Sequence, residues 1–447
     1  MANEKYGLIG KTLVHSYSKE IHESLGRYQY QLFSLAEDEM PDFINARDFR
    51  GLNVTIPYKK DVIPLCDEVT DLARGIGAVN TLFWKNASGT GSSESISQED
   101  RILVGHNTDY EGFLYAASRA GIDFEDKGVL ILGTGGTSLM ARRAAADQNA
   151  AKIYIASRHP ETDPPSGSEI QDAGILSTVS YDQLPEIADS IDVIVNTTPV
   201  GTFPNNMQQV IRLKDFPGCQ AVIDVIYNPF KTALLLEAEK LGLKYTNGLP
   251  MLVAQATAAA GYFLGTPGAF QKENQRIIKS MKQQMGNIVL IGMPGTGKSI
   301  IGKLLAELTG KTLQDTDAKI EEEAEMTIPE IFEKEGEAGF RDRESAICKK
   351  LGKERNLIIA TGGGAILRPE NVDALRQNGT LVHITRSIDK LPTRGRPLSK
   401  NIEALKKMEA QRMPLYKSAA DITFRNNYTC SRKKLRQRVN TYILEKL

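Results

Sequence analysis

The chain is poor in cysteine, has no excess of either charge, and lacks any long apolar run. Its four cysteines, Cys66, Cys219, Cys348 and Cys430, are widely separated among 447 residues and form no CxxC pair. Neither a disulfide framework nor a zinc site is therefore expected. Lys plus Arg total 55 and Asp plus Glu total 55, a balance that disfavours a strongly basic nucleic-acid binder. The local run Arg432-Lys433-Lys434-Leu435-Arg436-Gln437-Arg438 reads as the solvated face of a last helix. No apolar stretch approaches the roughly 18 residues that span a bilayer. Met1-Ala2-Asn3-Glu4-Lys5-Tyr6 lacks the basic and apolar regions of a signal peptide. A cytoplasmic protein with no membrane and no nucleic-acid partner is expected, its oligomeric state left open.

What is present is an ordinary globular composition, 41% hydrophobic and 25% charged, long enough for about three compact units. Short aliphatic runs alternate with helical patterns, the βαβ signature of parallel sheets. One series runs through Val129–Leu132, Lys152–Ile155, Asp192–Val195 and Ala221–Val225. A second opens at Asn287–Ile291 and continues through Leu357–Ala360 and Leu381–Ile384. Between them, residues 271–286 carry Ile277, Ile278 and Met281 at helical spacing and read as a closing helix with a short junction. The Ser, Gly and Glu-rich stretch 86–100 and the proline-rich stretch 159–172 read as loops. Asn86-Ala87-Ser88 within the first is a sequon read as an unmodified surface loop. Thr327-Ile328-Pro329-Glu330 reads as a structural capping box.

Gly292-Met293-Pro294-Gly295-Thr296-Gly297-Lys298-Ser299 follows an aliphatic strand and precedes an amphipathic helix, which is a complete P-loop in its required context. The glycines Gly292, Gly295 and Gly297, with Thr296, let the backbone wrap phosphates with its N–H groups inward. Lys298 would bridge the β- and γ-phosphates of ATP, and the Ser299 hydroxyl would coordinate Mg²⁺. Asp315-Thr316-Asp317 follows a strand and could set one carboxylate near magnesium and one near an acceptor hydroxyl. The run Gly336 to Glu344 offers cations for an anionic acceptor, and Gly362-Gly363-Gly364 permits close backbone approach. Arg394, Arg396 and Arg412 add guanidinium groups suited to carboxylate or phosphate.

Gly133-Thr134-Gly135-Gly136-Thr137-Ser138 is a variant dinucleotide turn, with Ser138 at the third-glycine position. The next strand ends in Ser157-Arg158-His159, with no carboxylate for a ribose 2′-hydroxyl, so Arg158 favours NADP over NAD. Ahead of this unit, Lys59 lies just past a strand and Asp109 at a strand-to-helix turn. A ketone reduced by hydride needs a proton donor, which Lys59 can be while Asp109 holds its ammonium. By spacing alone, two unrelated surface charges are the better reading.

From Asn287 onward these features, in this order, resemble shikimate kinase. The resemblance implies an ATP-dependent P-loop kinase of the nucleoside-monophosphate-kinase type that phosphorylates the shikimate 3-hydroxyl. It places Asp317 on that hydroxyl, Arg341 and Arg412 on the shikimate carboxylate, and Gly363 and Gly364 along the same pocket. Asp315 would help organise Mg²⁺, and Arg396 (or Arg394) would come from a lid to the transferring charge. The stretch between Thr385 and Arg396 is short for the family.

Residues 5–280 resemble shikimate dehydrogenase. The motifs are His15-Ser16-Tyr17-Ser18, Asn53-Val54-Thr55 through Lys59, Gly77 to Thr81, Asn107-Thr108-Asp109, the Gly-rich turn, Asn196 to Gly201, Asp224 to Pro229, and Asn247-Gly248-Leu249 through Gln255. The family reduces 3-dehydroshikimate with NADPH. By matched position, Ser16 and Ser18 would bind the substrate carboxylate. Thr55, Asn80, Asp109, Tyr227 and Gln255 would meet its oxygens or ring. Lys59 and Asp109 would be the catalytic pair, and Thr198, Gly248 and Met251 would flank the nicotinamide. The glycines Gly133, Gly135 and Gly136, with Ser157 and Arg158, would bind NADP. Lys19 stands where the family usually has Pro, and Glu23 where it usually has Asn.

The expected architecture is α/β throughout: a discontinuous substrate domain (1–110 with 248–285), a Rossmann NADP domain (111–247), and a P-loop kinase domain (286–447). The expected function is 3-dehydroshikimate to shikimate, then shikimate to shikimate 3-phosphate. The alternatives are a quinate/shikimate dehydrogenase that prefers NAD, or one half acting as a non-catalytic ligand-sensing module.

Overall fold

The structure is a computed structural model that describes residues 5–13, 16–86, 101–162, 175–391, 402–427 and 431–447. His15, Arg394, Arg396, Cys430, most of the stretch 86–100 and residues 163–172 lie outside the described residues. The chain divides into two compact units. One comprises Met1–Val200, Gln209–Phe230 and Leu234–Lys279, and the other Gly201–Gln208, Lys231–Ala233 and Ser280–Leu447.

The first unit holds two six-stranded sheets. In one the order is Tyr30–Ser34, Tyr6–Gly10, Gly51–Val54, Thr81–Asn86, Arg101–His106, Glu68–Val69. Its hairpin Thr81–Asn86/Arg101–His106 is antiparallel, and this brings Asn80 and Thr108 to the same end of the sheet. The other sheet is wholly parallel in the order Lys244–Thr246, Ala221–Asp224, Val193–Asn196, Gly128–Leu132, Lys152–Ser157, Leu176–Ser180. That is the doubly wound dinucleotide-binding order, with its switch point between Gly128–Leu132 and Val193–Asn196. Alternation along the first of these strands explains the two layers of core. Val129 and Ile131 pack with Phe113, Met140 and Ala144 on one face, while Leu130 and Leu132 pack with Leu184, Phe216 and Leu235 on the other.

Two helices carry much of the first unit's site. Asp109–Arg119 and Gly248–Phe263 pack against each other, and Gly112 is where they touch. A Cβ there would lie 2.6 Å from the Met251 carbonyl oxygen and 2.9 Å from Gln255 Cβ.

The second unit is built on a five-stranded parallel sheet in the order Thr312–Asp315, Leu357–Ala360, Asn287–Ile291, Gly379–Thr385, Ile422–Arg425. Val289 and Ile291 face Ile347, Leu351 and Phe340, and Ile288 and Leu290 face Ile301, Leu305 and Val439. The expected closing helix is Asn274–Met285 and the last basic helix is Arg432–Tyr442. At the capping box, the Glu330 carboxylate accepts the Thr327 backbone N–H at 2.7 Å. The helix begun there, Ile328–Lys353, is broken at Gly336, whose φ of 70° and ψ of −174° suit a residue without Cβ. Among the described residues no helix is long and apolar enough to cross a membrane.

Candidate active sites

The first site is a cleft of about 400 Å³ in the first unit. Ser16, Ser18, Thr55, Lys59, Asn80, Asp109, Tyr227, Gly248, Met251 and Gln255, scattered along the sequence, all line it. Lys59 Nζ donates to Asp109 Oδ2 at 2.5 Å, with both side chains mostly shielded from solvent. Lys59 follows the strand Gly51–Val54, and Asp109 opens the helix that follows Arg101–His106, so two strand ends place the pair. Asn80 Oδ1 accepts the Thr108 N–H at 2.7 Å and the Thr81 hydroxyl at 2.9 Å, so the side chain offers its NH₂ end to the cleft. Tyr17 and Tyr227 meet edge to face with ring centroids 6.1 Å apart. Lys19 and Glu23, the two departures in the first motif, sit one helical turn apart with 3.9 Å between their charges.

The remaining predicted cofactor residues sit on the parallel sheet rather than in the cleft lining. Gly133 has φ of 100° and lies against Thr198, where a Cβ would come within 3.0 Å of Thr198 Cγ2. Thr198 is itself fixed. Its hydroxyl donates to Asn196 Oδ1 at 2.7 Å, and Asn196 Nδ2 donates to the buried Asp224 at 3.1 Å. Gly135 and Gly136 open the helix Gly136–Asp147, and a Cβ at either would meet nothing within 4 Å. That open helix N-terminus, where the backbone dipole favours negative charge, fits a pyrophosphate. Ser138 does not face it; it is buried and accepts from Arg142 Nε at 3.2 Å. Ser157 is buried with its hydroxyl accepting the His159 N–H at 2.9 Å, and it thereby shapes the turn that leaves Arg158 exposed.

The second site is a cavity of about 440 Å³ in the second unit. It is lined by Gly295, Gly297, Lys298, Ser299, Asp315, Asp317, Arg341, Gly363, Gly364 and Arg412, which gathers the P-loop and the predicted acceptor residues together. Gly292, Met293 and Thr296 are the P-loop positions not on its wall. Gly292 lies against the Ile384 carbonyl, and the Thr296 hydroxyl donates to Met293 O at 2.9 Å within the loop. Lys298 Nζ donates to Gly292 O at 2.8 Å and Met293 O at 3.2 Å. The Ser299 hydroxyl donates to Asp315 Oδ2 at 3.2 Å, an all-oxygen pair of the hard kind Mg²⁺ takes. Arg412 Nη1 donates to Gly363 O at 2.9 Å.

Asp317 is the chemically distinctive carboxylate. Burial, then the negative charges of Asp315 and Glu344, push it up to about 6 from an ordinary value near 3.8. Among the described residues its Oδ1 has no hydrogen-bond partner, and neither has Oε1 of the fully buried Glu344. Both oxygens converge on Gly362, where a Cβ would lie 2.6 Å from one and 2.8 Å from the other.

Glu344 on the cavity wall and Asn426 beside the P-loop were among the residues not picked out from the sequence. Glu344 grips Arg341 at 2.7 Å, and its spacing of three from Arg341 on one helix was the available signal. Asn426 Nδ2 donates to Thr296 O at 2.7 Å beneath the P-loop. Its place just past a parallel strand, at the edge where α/β sheets bind ligands, was the only cue.

A dinucleotide-binding unit with a lysine–carboxylate pair, joined to a P-loop unit with an acceptor carboxylate, defines an enzyme that is both an oxidoreductase and a phosphotransferase. The comparisons give the families. Residues 8–82 match the model of the shikimate dehydrogenase substrate binding domain, and residues 294–447 match that of shikimate kinase. Shikimate dehydrogenase (NADP(+)) of Caldicellulosiruptor bescii is 36% identical over 268 residues, 57% of this chain and 88% of that protein. Shikimate kinase of Nitrosomonas europaea is 48% identical over 145 residues, 31% of this chain and 69% of that protein. A chorismate mutase/shikimate 5-dehydrogenase fusion protein from Clostridium acetobutylicum superposes with a TM-score of 0.54 at 32% identity, over 63% of this chain and 98% of that one. The chain belongs to the shikimate dehydrogenase family in its N-terminal part and to the shikimate kinase family in its C-terminal part, and so carries two enzymes of the shikimate pathway.

Proposed function

We propose that the chain reduces 3-dehydroshikimate to shikimate with NADPH and then phosphorylates the shikimate 3-hydroxyl with ATP and Mg²⁺. The substrate-binding part of the first activity is read as 1–110 with 248–285, its cofactor part as 111–247, and the kinase as 286–447. The observation that carries the reading is that two clefts each gather one complete constellation, Lys59 with Asp109 and Lys298 with Asp317.

In the first cleft the bound nicotinamide supplies hydride. Lys59 gives the proton that the carbonyl oxygen requires as it becomes a hydroxyl, and Asp109 holds the ammonium in place. Ser16 and Ser18 receive the substrate carboxylate, and Thr55, Asn80, Tyr227 and Gln255 receive its other oxygens. The cofactor would be held by Gly133, Gly135 and Gly136, with Arg158 on a 2′-phosphate and Thr198, Gly248 and Met251 beside the ring. In the second cleft Arg341 and Arg412 fix the carboxylate, Asp317 orients and deprotonates the hydroxyl, and Lys298 with the P-loop amides receives the phosphates. Ser299 and Asp315 would hold Mg²⁺, which offsets phosphate charge when bound. Arg394 or Arg396 is assigned to the transferring group on family resemblance.

An assay offering 3-dehydroshikimate, NADPH and MgATP, with both products followed, tests this. Lys59→Ala is expected to abolish reduction and spare phosphorylation, and Lys298→Ala the reverse. Absence of turnover by either half of the parent enzyme would refute the bifunctional reading. Parallel rates with quinate and with NAD measure the alternative specificity.

A further inference from the structure

Four side chains with no role assigned above form a hydrogen-bonded brace on the elements that flank Asp109. His106 ends the strand Arg101–His106, and Glu111 lies in the first turn of the helix Asp109–Arg119, so the pair brackets Asp109. His106 Nε2 is 3.1 Å from Glu111 Oε1, and the Tyr262 hydroxyl donates to that same oxygen at 3.1 Å. On the other side of the ring, His106 Nδ1 is 2.8 Å from Thr70 Oγ1. Thr70 caps the helix Asp71–Ile76 by accepting the Ala73 N–H at 3.3 Å. Its own hydroxyl proton can therefore go to Nδ1, which leaves Nε2 as the donor to Glu111.

The fourth member anchors the brace to a second functional helix. Tyr262 lies on Gly248–Phe263, which also carries Met251 and Gln255, and its ring is 4.6 Å from His106 and 4.9 Å from Phe83. Burial, then the Glu111 charge, push the Tyr262 hydroxyl well above its ordinary range, so it remains a donor. Glu111 Oε2 is closed off from solvent and has no hydrogen-bond partner among the described residues.

We propose that Glu111 is a positioning residue for the dehydrogenase reaction. Its Oε1, shared by His106 and Tyr262, fixes the helical turn bearing Asp109 relative to the helix bearing Met251 and Gln255. This rests on Lys59 and Asp109 being the proton-handling pair.

The test uses the full chain, with the kinase rate reporting the amount of active protein and the NADP⁺-induced rise in unfolding temperature reporting a folded dehydrogenase cleft. Glu111→Ala is expected to lower kcat for shikimate oxidation about tenfold while leaving both KM values within about twofold. Glu111→Gln, which keeps an acceptor oxygen, should recover to within about threefold of the parent. Tyr262→Phe should slow turnover about threefold, and combined with Glu111→Ala it should be no slower than Glu111→Ala alone. The proposal is overturned if Glu111→Ala stays within about twofold of the parent, if Gln is no faster than Ala, or if the two substitutions multiply. Loss of the NADP⁺ effect on unfolding would also overturn it, since general loosening would then explain the slow rate. Asp109→Asn, run alongside, separates the two layers. Full activity in that variant sinks the Lys59–Asp109 reading, whereas a slow Asp109→Asn beside a fast Glu111→Ala sinks the brace alone.

Discussion

Arg341 occupies the space that a side chain at residue 364 would need: a Cβ on Gly364 would lie 2.1 Å from Arg341 Nη1. Nearby, Glu344 holds the same guanidinium at 2.7 Å and Glu337 at 3.1 Å. Gly364→Ala must therefore displace Arg341 from the cavity. Its KM for shikimate in the kinase reaction should rise at least tenfold, about the loss of one charge-assisted contact. The dehydrogenase rate of the same protein should be unchanged. Steady-state assays of both activities check this, and an unaltered kinase KM would remove Arg341 from the carboxylate site.

The raised Asp317 gives the kinase a pH signature. As a base it acts only when ionised, so kcat/KM should climb with pH and level off above an inflection near 6. Glu344→Gln takes away one of the negative charges that raise it and should move the inflection down. Stability runs the other way. The folded state holds this proton more tightly than the unfolded chain, so its contribution is complete below about 4 and is lost as pH rises through about 6. Asp317→Asn should accordingly flatten the pH dependence of the second unit's unfolding between those limits. Kinetic and thermal titrations measure both, and an inflection unmoved by Glu344→Gln would contradict the assigned cause.

The sequence was most legible where a local pattern is itself the physics. The P-loop between an aliphatic strand and a helix, and the alternating runs that became Val129–Leu132 and Asn287–Ile291, were readable because burial on both faces demands those residues. Lys59 and Asp109 are fifty residues apart, and nothing in their spacing announces a 2.5 Å contact; acid–base chemistry suggested the pair and the resemblance decided it. Glu344 and Asn426 were missed for the same reason. A buried helix charge opposite Gly362, and an amide past one strand bonded to Thr296 past another, are relationships between separate elements that topology creates. Gly336 shows the converse, since a motif glycine read as part of a cationic run is the point where a helix breaks.

Arg158 is exposed at the end of Lys152–Ser157, where the doubly wound order puts a dinucleotide's ribose. If it pairs with a 2′-phosphate, Arg158→Ala should raise KM for NADPH by about ten- to a hundredfold and leave KM for NADH nearly unchanged. Both constants should be measured at one low ionic strength, because an exposed pair is screened by salt. Equal effects on the two cofactors would show that Arg158 does not read the phosphate.

Asn426 supports the P-loop from below, with Nδ2 2.7 Å from Thr296 O and 2.6 Å from where a Cβ on Gly297 would sit. Gly297 has φ of 97° and immediately precedes the helix Lys298–Thr309. The bond therefore fixes the turn that aims the loop's N–H groups and Lys298. Asn426→Ala removes the donor and leaves the Thr296 carbonyl without it. Such a loss costs about 1–2 kcal/mol, which should appear as a five- to thirtyfold rise in KM for ATP. Shikimate binding and the dehydrogenase rate should stay as they were. Asn426→Asp keeps the size but offers an acceptor to an acceptor and adds a negative charge near the phosphates, so it should be worse than alanine. A ranking with Asp equal to the parent would show that the amide does not hold the loop.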